Sequence, residues 1–254
     1  MWEHYEKHLK TIIDNFYKKG AAHLDTPPSI AKDGFTLAEV LITLGIIGVV
    51  AAMTIPNLMT AIKAHQMRAQ YLKSYAIVQQ VFRQMIADEI DLDPKSYGLN
   101  KFYQTFAQYL KGTIDCGTNA KGMKSYPQCY TKSSPRAYRN YSNTTKAYTE
   151  LFDDGQLILM DGTNLLFENQ SGNQIFVHVD INGFQKPPNR WGYDLFTFEF
   201  LNGELRTMGA TGTRYTDLEK YCSKSSGHNY NGIACADKAK TNSEYFKEIA
   251  KEIK

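Results

Sequence analysis

Residues 34–56 read GFTLAEVLITLGIIGVVAAMTIP, and this stretch decides the N-terminal half of the fold. From Phe35 to Ile55 the chain is apolar apart from one charged residue, Glu39. A run of about 20 such residues is long enough to cross a bilayer as a helix. A carboxylate inside a span costs about 2.5–3.5 kcal/mol on insertion scales, so an ionisable residue there indicates a function. The sequence therefore predicts a membrane-spanning helix over residues 35–55 with a functional Glu39.

This arrangement resembles the prepilin-type signal of type IV pilins and type II secretion pseudopilins. The resemblance implies that a prepilin peptidase cuts after Gly34 and that the new N-terminal Phe35 is methylated. It also implies that Glu39 serves filament assembly by pairing with the N-terminal amine of a neighbouring subunit. Pro56 lies where many pilins carry a helix-kinking proline. Because proline removes a backbone donor, a kink or local melting is expected over residues 52–56.

The resemblance further implies a set of partners and a location. The partners are other pilin or pseudopilin subunits, the prepilin peptidase and methylase, an inner-membrane assembly platform and inner-membrane lipids. The chain is expected to cross the bacterial inner membrane once and then to enter a pilus or pseudopilus. Its N-terminus is placed in the cytoplasm and its C-terminal domain in the periplasm. Lys32, just before the cleavage position, agrees with that orientation.

Residues 1–34 are the expected leader peptide, and they differ from the short basic leaders common in the family. They have neither the apolar core nor the A-x-A site of a secretory signal peptide. An amphipathic pattern runs through the first part and is broken at residues 25–28. A genuinely long leader and a start of translation further along the chain both remain open.

The bulk properties agree with one membrane helix and one modest domain. Removal of the leader leaves about 220 residues, which suffices for that organisation. The formal net charge of +3 is too small to favour nucleic acid as a partner. The sequence has no G-x-S-x-G motif and no glycine-rich phosphate loop. We therefore predict no catalytic residues and a protein that is not an enzyme.

Beyond the membrane span, residues 56–91 are predicted to continue the helix. Five large side chains recur at spacings of three and four and so share one helix face: Tyr71, Tyr75, Val78, Phe82 and Met85. We expect this face to pack on a sheet, because an amphipathic helix buries its apolar stripe. The helix is expected to end before residues 91–94.

Residues 92–147 are predicted to form a loop-rich segment, an αβ-loop in pilin terms, with one short helix near residues 101–110. Basic and tyrosine side chains interleave in this segment, an arrangement that can bind single-stranded nucleic acid by charge and stacking. The sequence favours a solvated loop instead, and nucleic acid is not an expected partner. The side chains concerned are Lys121, Lys124, Lys132, Arg136 and Arg139, with Tyr126, Tyr130, Tyr138 and Tyr141.

Residues 148–210 are predicted to form four to six antiparallel strands. The D-G pair at 154–155 predicts a hairpin between strands at 148–152 and 156–160, and the N-G pair at 202–203 predicts a second turn. Further strands are expected at 165–168, 175–181, 195–200 and 204–207, with His178 as a solvated strand residue. One long helix packed on such a sheet is an α+β, pilin-like fold, which the resemblance also implies.

The four cysteines fall into two local pairs of equal spacing, Cys116 with Cys129 and Cys222 with Cys235. Neither pair has the C-x-x-C spacing of a zinc or redox site. In an exported domain we expect two disulfides that close short loops, each worth about 3 kcal/mol. Cross-pairing and four reduced thiols are the alternatives. Residues 211–254 then form a disulfide-closed C-terminal region that ends in a short polar helix over 244–254.

Asp180, Asn182 and Asp194 are the candidate metal ligands. The D-x-N-G sequence that begins at Asp180 resembles the start of calcium loops, in which oxygen atoms converge on a hard cation. The alternative is an Asx turn followed by glycine, which joins two strands without an ion. Apart from this possible Ca²⁺, no cofactor is expected.

Taken together, these features predict a structural subunit, of the minor type because of its size, in a type IV pilus or a type II secretion pseudopilus. A competence pseudopilin in DNA uptake shares the same N-terminal motif. The rival from another class is a single-pass, membrane-anchored extracytoplasmic binding domain that keeps residues 1–34. The spacing of Gly34, Phe35 and Glu39 favours the filament subunit over this anchor.

Overall fold

The structure, a computed structural model, describes residues 35–97, 101–118, 126–132, 134, 136–169 and 174–253. The expected leader, and with it Gly34, lies outside the described residues, as do Lys121 and Lys124. The chain divides into two compact units, Met1–Ala52 and Met53–Lys254.

One long helix, α1 (Leu37–Ala87), contains the predicted membrane span and its continuation. Within the described part of the chain, this is the one helix long and apolar enough to cross a membrane, and none of its most apolar window is buried. The helix is unbroken through Pro56, so the local melting expected there is not found. The hydroxyl of Thr60 donates to the Pro56 carbonyl oxygen over 2.9 Å.

The later part of α1 packs on the sheet through the predicted stripe. Its buried residues are Ala64, Met67, Tyr71, Ser74, Val78, Val81, Phe82 and Met85. The Phe82 ring stacks on Phe200 with centroids 4.4 Å apart, and Tyr71 meets Phe196 edge-on at 4.7 Å. The three- and four-residue spacing therefore identified the buried face correctly.

The sheet has six antiparallel strands in the order β1-β2-β3-β4-β5-β6, so each strand pairs with the next along the chain. The strands are β1 (Ile114–Gly117), β2 (Gln156–Ile158), β3 (Asn164–Glu168), β4 (Ile175–Asp180), β5 (Leu195–Leu201) and β6 (Glu204–Thr207). Asn202 and Gly203 both have positive φ, as a type I′ hairpin turn requires. The predicted N-G turn is confirmed, and so is the α+β, pilin-like architecture.

The predicted D-G hairpin is wrong. Thr149–Phe152 is a 3-10 helix rather than a strand, and the backbone N–H of Asp154 donates to the Phe167 carbonyl oxygen in β3. Gly155 does not turn the chain back. Its φ is +154°, and a Cβ there would lie 2.2 Å from the Tyr103 ring, so this glycine serves a close approach of backbone to ring.

The loop-rich segment is not a solvated loop, because much of it covers the second face of the sheet. Tyr130 and Tyr138 are buried, with ring centroids 5.1 Å apart, and Tyr138 meets Phe152 at 5.4 Å. The short helix expected near residues 101–110 is present as α2 (Phe102–Ala107), whereas strand β1 was not predicted. Of the tyrosines interleaved with basic residues here, Tyr130, Tyr138 and Tyr141 are buried, whereas Tyr126 is exposed.

Three short helices follow the sheet: α3 (Leu218–Tyr221), α4 (Cys235–Thr241) and α5 (Tyr245–Ala250). The last was expected to be polar, and that expectation is wrong. Tyr245, Phe246, Ile249 and Ala250 are buried, because this six-residue helix lays one apolar face on the core.

Candidate assembly and processing site

The start of α1 is a capping box formed by Thr36 and Glu39. The backbone N–H of Glu39 donates to the Thr36 hydroxyl over 3.2 Å, and the Thr36 backbone N–H donates to Oε2 of Glu39 over 2.9 Å. The Thr36 hydroxyl also donates to the same Oε2 over 2.8 Å. These bonds satisfy donors that a helix N-terminus otherwise leaves unpaired.

The residues around this box are exposed in the N-terminal unit. Phe35 is 87% exposed, and the apolar side chains that follow along the first turns are exposed as well. The Glu39 carboxylate stands at the positive end of the helix dipole, where negative charge is favoured. Its oxygens can also accept a hydrogen bond from an ammonium group brought by another molecule.

Gly45 and Gly48 lie on α1 with open space around them. A Cβ at either position would have no heavy atom within 4 Å outside its own helical surroundings. Neither glycine is therefore needed for packing against described parts of its own chain. Small residues on apolar helices let two helix backbones approach closely in a membrane or in another apolar medium.

The cysteines pair locally. Cys116 bonds to Cys129 with a Cα–Cα distance of 5.8 Å, and Cys222 bonds to Cys235 with a distance of 5.1 Å. The first bridge lies within the loop-rich segment, joins β1 to Cys129 and shares a small apolar cluster with Ile158. The second joins the residue after α3 to the first residue of α4.

Two of the three candidate calcium ligands, Asp180 and Asp194, accept hydrogen bonds from their own chain, whereas the side-chain amide of Asn182 donates to the Pro187 carbonyl oxygen over 3.1 Å. Asp180 accepts from the backbone N–H groups of Asn182 and Gly183 at 3.2 and 2.9 Å, and from the Tyr138 hydroxyl at 2.8 Å. Burial, followed by the negative charge of Asp194, raises the pKa of Asp180. Both carboxylate oxygens of Asp180 are thus used in an Asx-type turn and a tyrosine contact.

Asp194 is held in the same way. Its carboxylate accepts from the backbone N–H groups of Asn189 at 2.7 Å and Arg190 at 2.6 Å, and burial raises its pKa to about 7. Among the described residues, no three His, Cys, Asp or Glu side chains are grouped so as to hold a metal ion. The arrangement fits the turn interpretation of this loop.

His178 was expected to be solvated, and that expectation is wrong. The side chain is fully buried, and its Nδ1 lies 2.9 Å from the Thr197 hydroxyl, which also accepts a hydrogen bond from the Trp191 indole. Burial lowers the pKa of His178 to about 3, which keeps the ring neutral. It packs edge-on against Phe152, at 4.9 Å between centroids, as part of the core.

The role of Thr36 as the capping residue of α1 is a finding of the structure. In the sequence, Thr36-Leu-Ala-Glu39 has the T-x-x-E spacing of a capping box. That spacing, at the start of an apolar run, is the signal that identifies its role.

Comparison with known proteins bears on the same stretch. Residues 31–55 match the family described as the prokaryotic N-terminal methylation motif, whereas no curated protein and no solved structure matches the chain. The match spans the residues on both sides of the predicted cleavage position, the capping box and the apolar part of α1 up to Ile55. The chain therefore carries the prepilin-type methylation motif of type IV pilins and pseudopilins.

Proposed function

We propose that this protein is a minor structural subunit of a type IV pilus or a type II secretion pseudopilus. In this proposal the prepilin peptidase cleaves after Gly34, Phe35 is N-methylated, and the mature chain is assembled through the first half of α1. The single observation that carries the proposal is the exposed apolar helix with Glu39 at its head. The motif itself belongs to a family of structural subunits.

The proposed pairing is favourable because two unpaired charges in an apolar environment are each destabilising. A carboxylate at position 39 and the N-terminal ammonium at Phe35 are each unfavourable in hydrocarbon, and pairing between neighbouring subunits relieves both costs. In a filament the apolar helices replace lipid by contact with each other. Gly45 and Gly48, which have open space around them, permit close approach of the helices.

The two disulfides support export of the domain. Structural disulfides persist in oxidising compartments such as the bacterial periplasm, and they are rare in the cytosol. Both bridges close loops with a sequence separation of 13 residues in the domain that follows the apolar helix. We therefore place the domain on the periplasmic side, with the N-terminus on the cytoplasmic side.

The test is the intact mass and the N-terminal residue of the protein isolated from host membranes without reductant. The proposal predicts a chain that begins at N-methyl-Phe35 and lacks the hydrogens lost in forming two disulfides. Gly34→Leu is the matched control and should keep the leader, because the peptidase accepts only a small residue before the cut. A wild-type chain that keeps residues 1–34 would support the membrane-anchored binding domain instead.

A further inference from the structure

We propose that Thr36 is a positioning residue for filament assembly, which holds the Glu39 carboxylate so that one of its oxygens faces the ammonium group of a neighbouring subunit. This inference rests on the proposed function, since it assigns a role within the same site. The inference concerns the orientation of the Glu39 carboxylate, whereas the proposed function concerns its pairing with an ammonium group.

The first observation is that both hydrogen bonds from Thr36 end on the same carboxylate oxygen. The backbone N–H and the hydroxyl of Thr36 donate to Oε2 of Glu39 over 2.9 and 2.8 Å. A carboxylate has about four acceptor positions on its two oxygens. The contacts from Thr36 therefore leave Oε1 for a second donor, and an incoming ammonium group can bind without displacing the capping box.

The second observation is that the Thr36 hydroxyl also accepts a hydrogen bond from the backbone of Glu39. It accepts the backbone N–H of Glu39 over 3.2 Å while it donates to the Glu39 side chain. The Glu39 side chain is thus folded back over the first helical turn rather than extended along the helix. A charged group with fixed orientation loses less conformational entropy when it pairs than a free one does.

Two replacements of Thr36 differ in whether they keep the side-chain hydroxyl. Ser keeps the hydroxyl and both of its hydrogen bonds. Gly is nearly as good as Thr at an N-cap position but has no side chain to hold the carboxylate. The two variants therefore separate capping of the helix from positioning of Glu39.

The experiment uses the full chain in cells that assemble the filament. Wild type, Thr36→Ser, Thr36→Gly and Glu39→Ala are compared in three measurements: intact mass for cleavage, membrane fractionation for insertion, and the amount recovered in sheared filaments. We expect Thr36→Ser to match the wild type. Thr36→Gly should be cleaved and inserted normally yet fall about tenfold in sheared filaments, the factor expected for one lost hydrogen bond to a charged group.

Several outcomes would overturn the proposal. They are wild-type recovery of Thr36→Gly, depletion of Thr36→Ser to the same degree as Thr36→Gly, and a cleavage or insertion defect in Thr36→Gly that places its role before assembly. The Glu39→Ala variant distinguishes failure of the proposed Glu39 pairing from failure of the positioning role of Thr36. If Glu39→Ala assembles normally, the proposed pairing itself fails; if Glu39→Ala is depleted while Thr36→Gly is not, only the positioning role fails.

Discussion

The hydroxyl of Tyr71, in the middle of α1, donates a 2.6 Å hydrogen bond to the carbonyl oxygen of Ala236 in the first turn of α4. This bond joins residues far apart in the sequence, and both side chains are buried. It ties the C-terminal region to the part of α1 that packs on the sheet. Lys63 makes a second link, from its ammonium group to the carbonyl oxygen of Ile253 over 3.0 Å.

Tyr71→Phe should lower the free energy of unfolding by about 1 kcal/mol, because it removes a fully buried hydrogen bond. Tyr75→Phe is the matched control on the same helix face. The Tyr75 hydroxyl donates to the Leu205 carbonyl oxygen over 3.2 Å, but Tyr75 is only half-buried, so we expect a smaller loss. Denaturant unfolding of the purified chain in detergent measures both; equal losses would contradict the assigned importance of the Ala236 contact.

Removal of either disulfide should destabilise the domain by about 3 kcal/mol, since both bridges close loops of the same length in the chain-entropy description. The paired substitutions are Cys116→Ser with Cys129→Ser, and Cys222→Ser with Cys235→Ser. Thermal unfolding without reductant checks the prediction, with the wild type in reductant as a reference. An unchanged melting temperature in both double variants would show that the bridges add nothing to stability.

Gly155→Ala should be more damaging than Gly162→Ala. Both glycines have positive φ, which costs an L side chain about 1–2 kcal/mol. At Gly155 a Cβ would also overlap the Tyr103 ring, an overpacking cost of about 1–3 kcal/mol, whereas nothing lies within 4 Å of a Cβ at Gly162. Thermal unfolding of the two variants separates backbone strain from steric overlap, and equal losses would rule out the close approach to Tyr103.

The stability of the domain should fall as the pH rises from about 4 to 6.5, because two buried carboxyl groups with raised pKa values, Asp180 and Asp194, oppose one buried histidine with a lowered pKa, His178. His178 has a pKa lowered to about 3, so its contribution is complete above the unfolded value of about 6.5 and is lost as the pH falls toward 3. Asp194 has a pKa raised to about 7, so its contribution is complete below about 3.8 and is lost as the pH rises through 7.

Single substitutions should reveal how each buried group contributes to the pH dependence of the free energy of unfolding. His178→Gln removes the contribution of the histidine, so the free energy of unfolding should fall more steeply than in the wild type as the pH rises from about 4 to 6.5. Asp194→Asn removes one of the two opposing carboxyl groups, so the fall over the same range should be smaller than in the wild type. Urea unfolding at a series of pH values measures the free energy of unfolding of each variant. Parallel pH profiles for the two variants and the wild type would disprove the opposite contributions of these buried groups.

Glu39→Ala should be cleaved and inserted normally but absent from sheared filaments, because the partner ammonium would remain unpaired in the apolar filament core. Glu39→Gln keeps an acceptor for the Thr36 hydrogen bonds but loses the charge. It should therefore also fail to assemble. Recovery of Glu39→Gln at the wild-type level would show that hydrogen bonding, rather than charge pairing, is what position 39 supplies.

Several features followed from the sequence because they depend on local spacing alone. The apolar run before Pro56 predicts a span by its length, and Glu39 stands out as its one charge. The stripe from Tyr71 to Met85 identifies the buried face, since residues three and four apart share one side of a helix. The N-G pair at 202–203 predicts its turn for a similarly local reason, the preference of these residues for positive φ.

The burial of Tyr138 and His178, the failure of the D-G pair to form a hairpin, and the apolar face of α5 were decided by tertiary structure. Each depends on which distant segments pack against the sheet or against α1. Phe152, for example, packs between Tyr138 and His178 although the three are spread over the loop-rich segment, a 3-10 helix and β4. A solvated loop and a segment that packs on the sheet can have the same local pattern of polar and aromatic residues. Contacts between residues far apart in the sequence, which local periodicity does not encode, determine which of the two forms.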